Sequence, residues 1–344
     1  MVLQELNGTI QIATTTLLGL VTVLLVKHWR GGLHTWTGIG FTLSILCYVV
    51  IESETVQSLQ VLRIVATIGA ICIPVLFWLL SRAIFDDHFR FTRSLLPWFI
   101  IIIISHSNFF LSGVIQWSGF EPLASIIARL ISLGFVLAGL YTALRTKRAD
   151  LIDARIRFRN IFIIVTATLI GVTLVVEVFP IERETVIVLQ VLQRSAIFAI
   201  TLYFLLSNFG IRPGFFFKEI LKAKARSVDD PLLNAKLQSL MEEKKIYKKE
   251  GLTIGKLAEL MNEQEYRLRK LINGQLGFRN FNDFLNQYRI NDACETLSDP
   301  AEMRKTILEI AYDLGYQSIG PFNKAFKDLK GITPSAYRKN QING

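Results

Sequence analysis

Over the first two hundred residues the apolar positions come in long unbroken runs. Seven stretches, roughly 10–27, 33–51, 61–81, 95–117, 122–144, 160–179 and 186–206, are dominated by Leu, Ile, Val and Phe. A hydrocarbon layer of about 30 Å is crossed by about 20 helical residues, and a backbone in lipid must satisfy its own hydrogen bonds. The pattern therefore predicts seven spanning helices. Beyond residue 214 the pattern changes to short helices with apolar residues three and four apart, the period of an amphipathic helix.

The polar residues between the runs give the predicted bundle a direction. Lys27 and Arg30 follow the first run. Arg82, Arg90 and Arg93 follow the third, and Arg145, Lys147, Arg148, Arg155, Arg157 and Arg159 follow the fifth. The second and fourth connections carry only Glu52, Glu54 and Glu121, and the sixth sets Arg183 between Glu182 and Glu184. Cytoplasmic loops are the basic ones, so the N-terminus is expected outside and the C-terminal region inside the cytoplasmic membrane of a bacterium. Met1–Gly8 has no basic stretch and includes Glu5, so the first run is expected to remain as a span instead of being cleaved as a leader.

Composition agrees with a chain of two unlike parts. With 51% hydrophobic and 19% charged residues over 344 positions, it is too apolar for an ordinary soluble enzyme and far from disordered. Residues 1–214 hold 16 Lys and Arg against 11 Asp and Glu; residues 215–344 hold 22 against 17. Three domains are expected: a seven-span sensor over 1–209, a juxtamembrane linker with an amphipathic helix over 210–250, and a soluble domain over 251–344. In the linker, Gly210, Pro213 and Gly214 stop the last span. Phe215, Phe216 and Phe217 then precede Lys218, Lys222, Lys224 and Arg226, a sequence suited to anionic lipid at an interface.

The soluble domain holds a pattern that occurs twice. Ile254, Leu257, Ala258 and Met261 share one helix face, Asn262-Glu263-Gln264 makes a turn, and Leu268, Leu271 and Ile272 face back. Further on, Ile307, Ile310, Ala311 and Leu314 repeat the first stripe. Gly315 stands at the turn and Phe322 and Phe326 face inward. Each copy is a helix-turn-helix, whose second helix enters the major groove of DNA. The helix Phe281–Leu297 between them can set both recognition helices on one side, to reach grooves about 34 Å apart.

These residues resemble the DNA-binding domain of the AraC/XylS family of transcription regulators. The resemblance is carried by Leu257-Ala258, Leu268, Gly277, Phe284, Arg289, Ala293, Leu297, Ile310-Ala311, Leu314-Gly315-Tyr316, Phe322 and Phe326-Lys327, and by the closing string Gly331-Ile332-Thr333-Pro334-Ser335-Ala336-Tyr337-Arg338. It covers about a quarter of the chain, residues 252–339. The expected fold is thus all-α, a seven-helix bundle followed by a double helix-turn-helix. The chain is expected to be a membrane-embedded one-component regulator of promoter DNA. The family's usual soluble effector barrel is missing here, so nothing carries over about sugar-like effectors.

The resemblance implies that the second helix of each motif reads DNA. By helix face the first exposes Gln264, Tyr266, Arg269 and Lys270, and the second Gln317, Ser318, Asn323, Lys324 and Lys327. Arg and Lys suit guanine edges and phosphates, Gln and Asn suit adenine. Two departures stand out: Glu263 and Glu265 bring negative charge to the first recognition helix, and Pro321 falls in the second. RNA polymerase is a further partner by the same resemblance, and a homodimer is open.

Within the bundle, ionisable residues are costly and face inward. Arg129, Arg194, Glu177, His106, Asn108 and Arg63 form a candidate pocket for an unknown small-molecule effector, with the two arginines anchoring an anion and Glu177 placed to pair with Arg194. The alternative is a polar network that only locks the helices. The four histidines show no metal-ligand spacing and no nucleophile or phosphate-loop motif occurs, so neither an enzyme nor a cofactor is expected. Two other readings of the bundle stay open, a transporter or a passive anchor fused to the regulator.

Overall fold

The computed structural model describes residues 2–27, 32–51, 53–106, 121–178, 183–209 and 230–343. The described residues are helical, and the one piece of β pairing among them is an antiparallel bridge between Asp150 and Asn280. The chain forms two compact units. One comprises Met1–Lys147 and Arg157–Phe216, the other Arg148–Ile156 and Phe217–Gly344.

Among the described residues of the first unit, four helices are long and apolar enough to cross a membrane: Leu3–Lys27, Leu33–Val50, Ile126–Arg145 and Ile187–Leu206. The predicted third span is broken. Helices Gln60–Ile71 and Ile73–Phe85 meet at Cys72 with a bend of 44°. Pro74 accounts for the break, because it lacks an N–H and its ring clashes with the carbonyl four residues back. Counting that pair as one span gives up to five among the described residues; the seven expected are not all found there. The fourth and sixth stretches contribute shorter apolar helices, Arg93–Ser105 and Phe158–Thr168, the former running toward residues outside those described.

The N-terminal helix packs against the second helix and against Arg183–Phe209, and Ile73–Phe85 packs against Glu121–Arg145. At the latter crossing Gly139 is needed for close approach, since a Cβ there would lie 2.6 Å from a Phe77 ring carbon. Phe77 in turn stacks on Phe162 at 5.0 Å. Hydroxyls are satisfied within their own helices: Thr14 donates to the Ile10 carbonyl at 2.7 Å and Ser81 to Phe77 at 2.8 Å. Only 17–22% of each long apolar window is buried, and large aliphatics such as Ile12, Val61, Ile164 and Leu206 are more than 60% exposed.

The second unit has two small cores threaded by one helix. Asn280 caps this connecting helix, Phe281–Ser298, by accepting from the Asp283 amide at 2.9 Å. Its N-terminal half contributes Phe281, Phe284 and Leu285 to a core with Leu233, Leu237, Leu257, Ala258, Leu268 and Ile272. Its C-terminal half contributes Ile290, Ala293 and Leu297 to a core with Ile310, Ala311, Leu314, Phe322 and Phe326. Each motif thus closes over its own half of a shared helix.

Candidate nucleic-acid interface

Each motif starts from a capped helix. Thr253 accepts from the Lys256 amide to start Ile254–Leu260. Thr306 and Glu309 form a reciprocal capping box that starts Ile307–Asp313. The turns require left-handed backbone. Asn262 adopts φ 48° in the first, at the predicted position, and Gly315 φ 81° in the second. Gly315 has a second constraint, because a Cβ there would lie 2.4 Å from the Lys248 carbonyl oxygen.

The recognition helices follow. The first is Glu265–Lys270, which widens into π geometry over Leu271–Gln275, with the Leu276 amide reaching back to Leu271 at 3.2 Å. The second is Ile319–Lys330, with Pro321 in its first turn, where its missing N–H costs nothing. It ends at Gly331, with φ 78°. Its inward face is an edge-to-face ladder: Tyr316 on Phe322 at 5.3 Å, Phe322 on Phe326 at 5.8 Å, Phe326 on Tyr337 at 5.4 Å.

Gln264, Tyr266, Lys270, Gln317, Ser318, Asn323, Lys324 and Lys327 all stand exposed. The Lys270 ammonium sits 5.4 Å over the Tyr266 ring, and Ser318 caps the second helix backbone without a side-chain bond. Arg269 differs from the rest. It is half-buried, one amino group bonds Glu265, the other lies 3.7 Å from Asp153, and Nε is buried without a hydrogen-bond partner. The negative charge expected at this helix is answered locally, since Glu265 pairs with Arg269 and Glu263 with Arg267 at 2.7 Å. Arg267 also bonds Asp230 at 2.6 Å. Those hydrogen bonds raise the arginine's pKa, and the Leu233 amide with Arg267 holds the Asp230 carboxyl below its usual range.

A buried polar cluster fixes the connecting helix to the segment before the first motif. Arg289 donates to the Tyr247 carbonyl at 2.7 Å and the Lys249 carbonyl at 3.1 Å, and lies 5.0 Å over the Tyr316 ring. Asp292 accepts from the Tyr247 hydroxyl and from Lys248, both at 2.8 Å. Burial opposes the charge on Asp292, but these bonds outweigh it and depress its pKa. Burial lowers the Arg289 pKa and pushes the Tyr316 hydroxyl up to about 12. Arg289 was legible as a family residue, whereas its carbonyl partners were not.

The candidate effector residues differ in placement. Arg194 is buried and donates to Asn7 Oδ1 at 2.6 Å, a partner the sequence did not suggest. Arg129 and Arg63 are exposed. His106 is half-buried, its Nδ1 2.9 Å from the Ile102 carbonyl. Asn108 and the Glu177 side chain, and with it the expected pairing to Arg194, lie outside the described residues. Among the described residues no cluster of His, Cys, Asp and Glu could hold a metal ion.

Residues 257–340 match the family described as a helix-turn-helix domain. No curated protein and no solved structure matches the chain.

Proposed function

We propose that the chain is a membrane-embedded one-component regulator of the AraC type that binds promoter DNA through two recognition helices, a reading supported by the match of residues 257–340 to a helix-turn-helix family. The observation that carries this is the pair of half-cores on one connecting helix. It supports two exposed basic helix faces held by a single rigid element, which suits successive major grooves. Lys324, Lys327 and Lys270 supply phosphate charge, and Gln264, Gln317, Ser318 and Asn323 supply base-edge hydrogen bonds. Tyr266 and Arg269 complete the first face.

Membrane embedding is supported by helices that remain apolar on their outward faces. An aliphatic surface of that extent is not tolerated in water. The basic connections support a cytoplasmic position for the DNA-binding domain. For sensing, the buried Arg194 ties the last long helix to Asn7 of the first; an effector acts by preferring one arrangement of such helices over another. With Arg129, Arg194 anchors an anionic ligand in this reading.

Mapping promoter occupancy in cells tests the whole proposal. The full chain should mark discrete promoters, and occupancy should respond to signal. Deleting residues 1–214 should abolish the response; a fragment that regulates at full strength with unaltered signal dependence would refute a sensing bundle. Folded Arg194→Ala and Arg129→Ala variants that signal normally would remove the anion site.

A further inference from the structure

One stretch of the first two hundred residues, ending in the first turn of the helix Asp153–Val178, packs with the C-terminal domain. Arg148–Ile156 forms one compact unit with the DNA-binding domain, although the residues on both sides of it group with the apolar helices. Leu151 is 3% exposed and belongs to the first motif's core, which also holds Leu268, Phe281 and Phe284. Its amide donates to the Arg279 carbonyl at 3.2 Å, next to the bridge between Asp150 and Asn280. Within the segment, Asp150 is buried and accepts from Arg155 Nε at 2.6 Å and from the Ile152 amide at 3.0 Å. The segment is therefore stiff and anchored by its apolar residues. At its rim Asp153 Oδ1 lies 3.7 Å from Arg269 Nη1, on the first recognition helix.

We propose that residues 148–156 are an autoinhibitory strap: docked on the first motif, they engage Arg269 through Asp153, in competition with DNA. The inference rests on the DNA-binding reading above. An arginine answered by two carboxylates, Glu265 and Asp153, has to exchange one of them for a phosphate or a guanine. Binding of DNA then weakens the strap, and by reciprocity whatever pulls the strap away strengthens DNA binding. The strap runs without a break into the apolar helices on either side of it, so a shift in their spacing acts on it directly. No separate messenger is required.

The test uses the full chain in lipid nanodiscs and a fluorescein-labelled 30-bp duplex of random sequence, read by anisotropy across a salt series. Asp153→Asn should tighten binding roughly two- to fivefold, the range of an exposed ion pair. It should also steepen the salt dependence by up to about one counterion, because the arginine no longer trades one ion pair for another. Leu151→Ala, which undocks the strap through its apolar anchor, should shift affinity in the same direction. In an Arg269→Ala background Asp153→Asn should have no further effect. Independently, the Leu151 amide should be protected from hydrogen exchange in the free chain and exchange faster when the duplex is added. Unchanged or weaker binding by Asp153→Asn, or Leu151 protection indifferent to DNA, overturns the strap while leaving the DNA-binding reading intact. A wild-type chain that binds no duplex at any salt overturns that reading and the strap with it.

Discussion

Gly315→Ala is the substitution whose cost can be worked most fully from the structure. The residue sits at φ 81° in the turn of the second motif. An L-residue in left-handed backbone costs about 1–2 kcal/mol. The added methyl would also lie 2.4 Å from the Lys248 carbonyl oxygen and 2.9 Å from Arg289 Nη2. That carbonyl cannot easily retreat, because Arg289 bonds the carbonyls of Tyr247 and Lys249 on either side of it. Overpacking of this kind costs about 1–3 kcal/mol. The sum, about 3 kcal/mol, is roughly a hundredfold in an opening equilibrium. Hydrogen exchange of the full chain should show it as faster exchange along Phe281–Ser298 and Ile319–Lys330. Gly331→Ala is the control: φ is 78° but nothing lies within 4 Å of the new carbon, so only the conformational cost applies. Equal effects from the two substitutions would refute the argument that the Lys248 carbonyl, and not backbone conformation alone, demands glycine at 315.

Four further outcomes are expected. Lys324→Ala and Lys327→Ala should each weaken binding to every duplex and lower the salt slope by about one; an unchanged slope would remove that lysine from the phosphate set. Thr306→Ala, which destroys the capping box, should cost about 1 kcal/mol of domain stability, measured by denaturant titration. Asp292 has a folded pKa below its ordinary 3.8, so its contribution is fully present above that value and is lost as pH falls through the depressed one. Asp292→Asn should therefore flatten the acid limb of the domain's stability curve, and an unaltered limb would assign it to other carboxylates.

The C-terminal fold was legible because its signals are local and repeated. Ala258 and Ala311, each on an apolar stripe of the same spacing, mark where two helices meet, and both are buried as the pattern requires. The exposed faces of the recognition helices followed from the same periodicity. Arg269 was legible only as a helix-face residue, because one of its two ion-pair partners, Asp153, lies more than a hundred positions away. Arg155 was read from sequence as one more cytoplasmic charge; its burial against Asp150 is a property of the docked segment and leaves no periodic trace. Apolar runs identified where helices lie, but not which of them stay continuous. Pro74 was visible, yet a proline within an apolar run is compatible with a kinked span or a broken one, and only packing decides. Asn7, the neighbour of Arg194, carries no signal at all, since the pairing joins the first helix to the last.

The central claim is that one chain holds a promoter-reading domain on a bilayer. Flotation of sealed vesicles carrying the full chain, after mixing with sheared genomic DNA from its source organism, tests both halves at once. The account predicts that protein and DNA rise together through the density gradient, and that sequencing the floated DNA shows enrichment of discrete sites. Protein left at the bottom of the gradient, or floated DNA no richer in any sequence than that carried by empty vesicles, would contradict it.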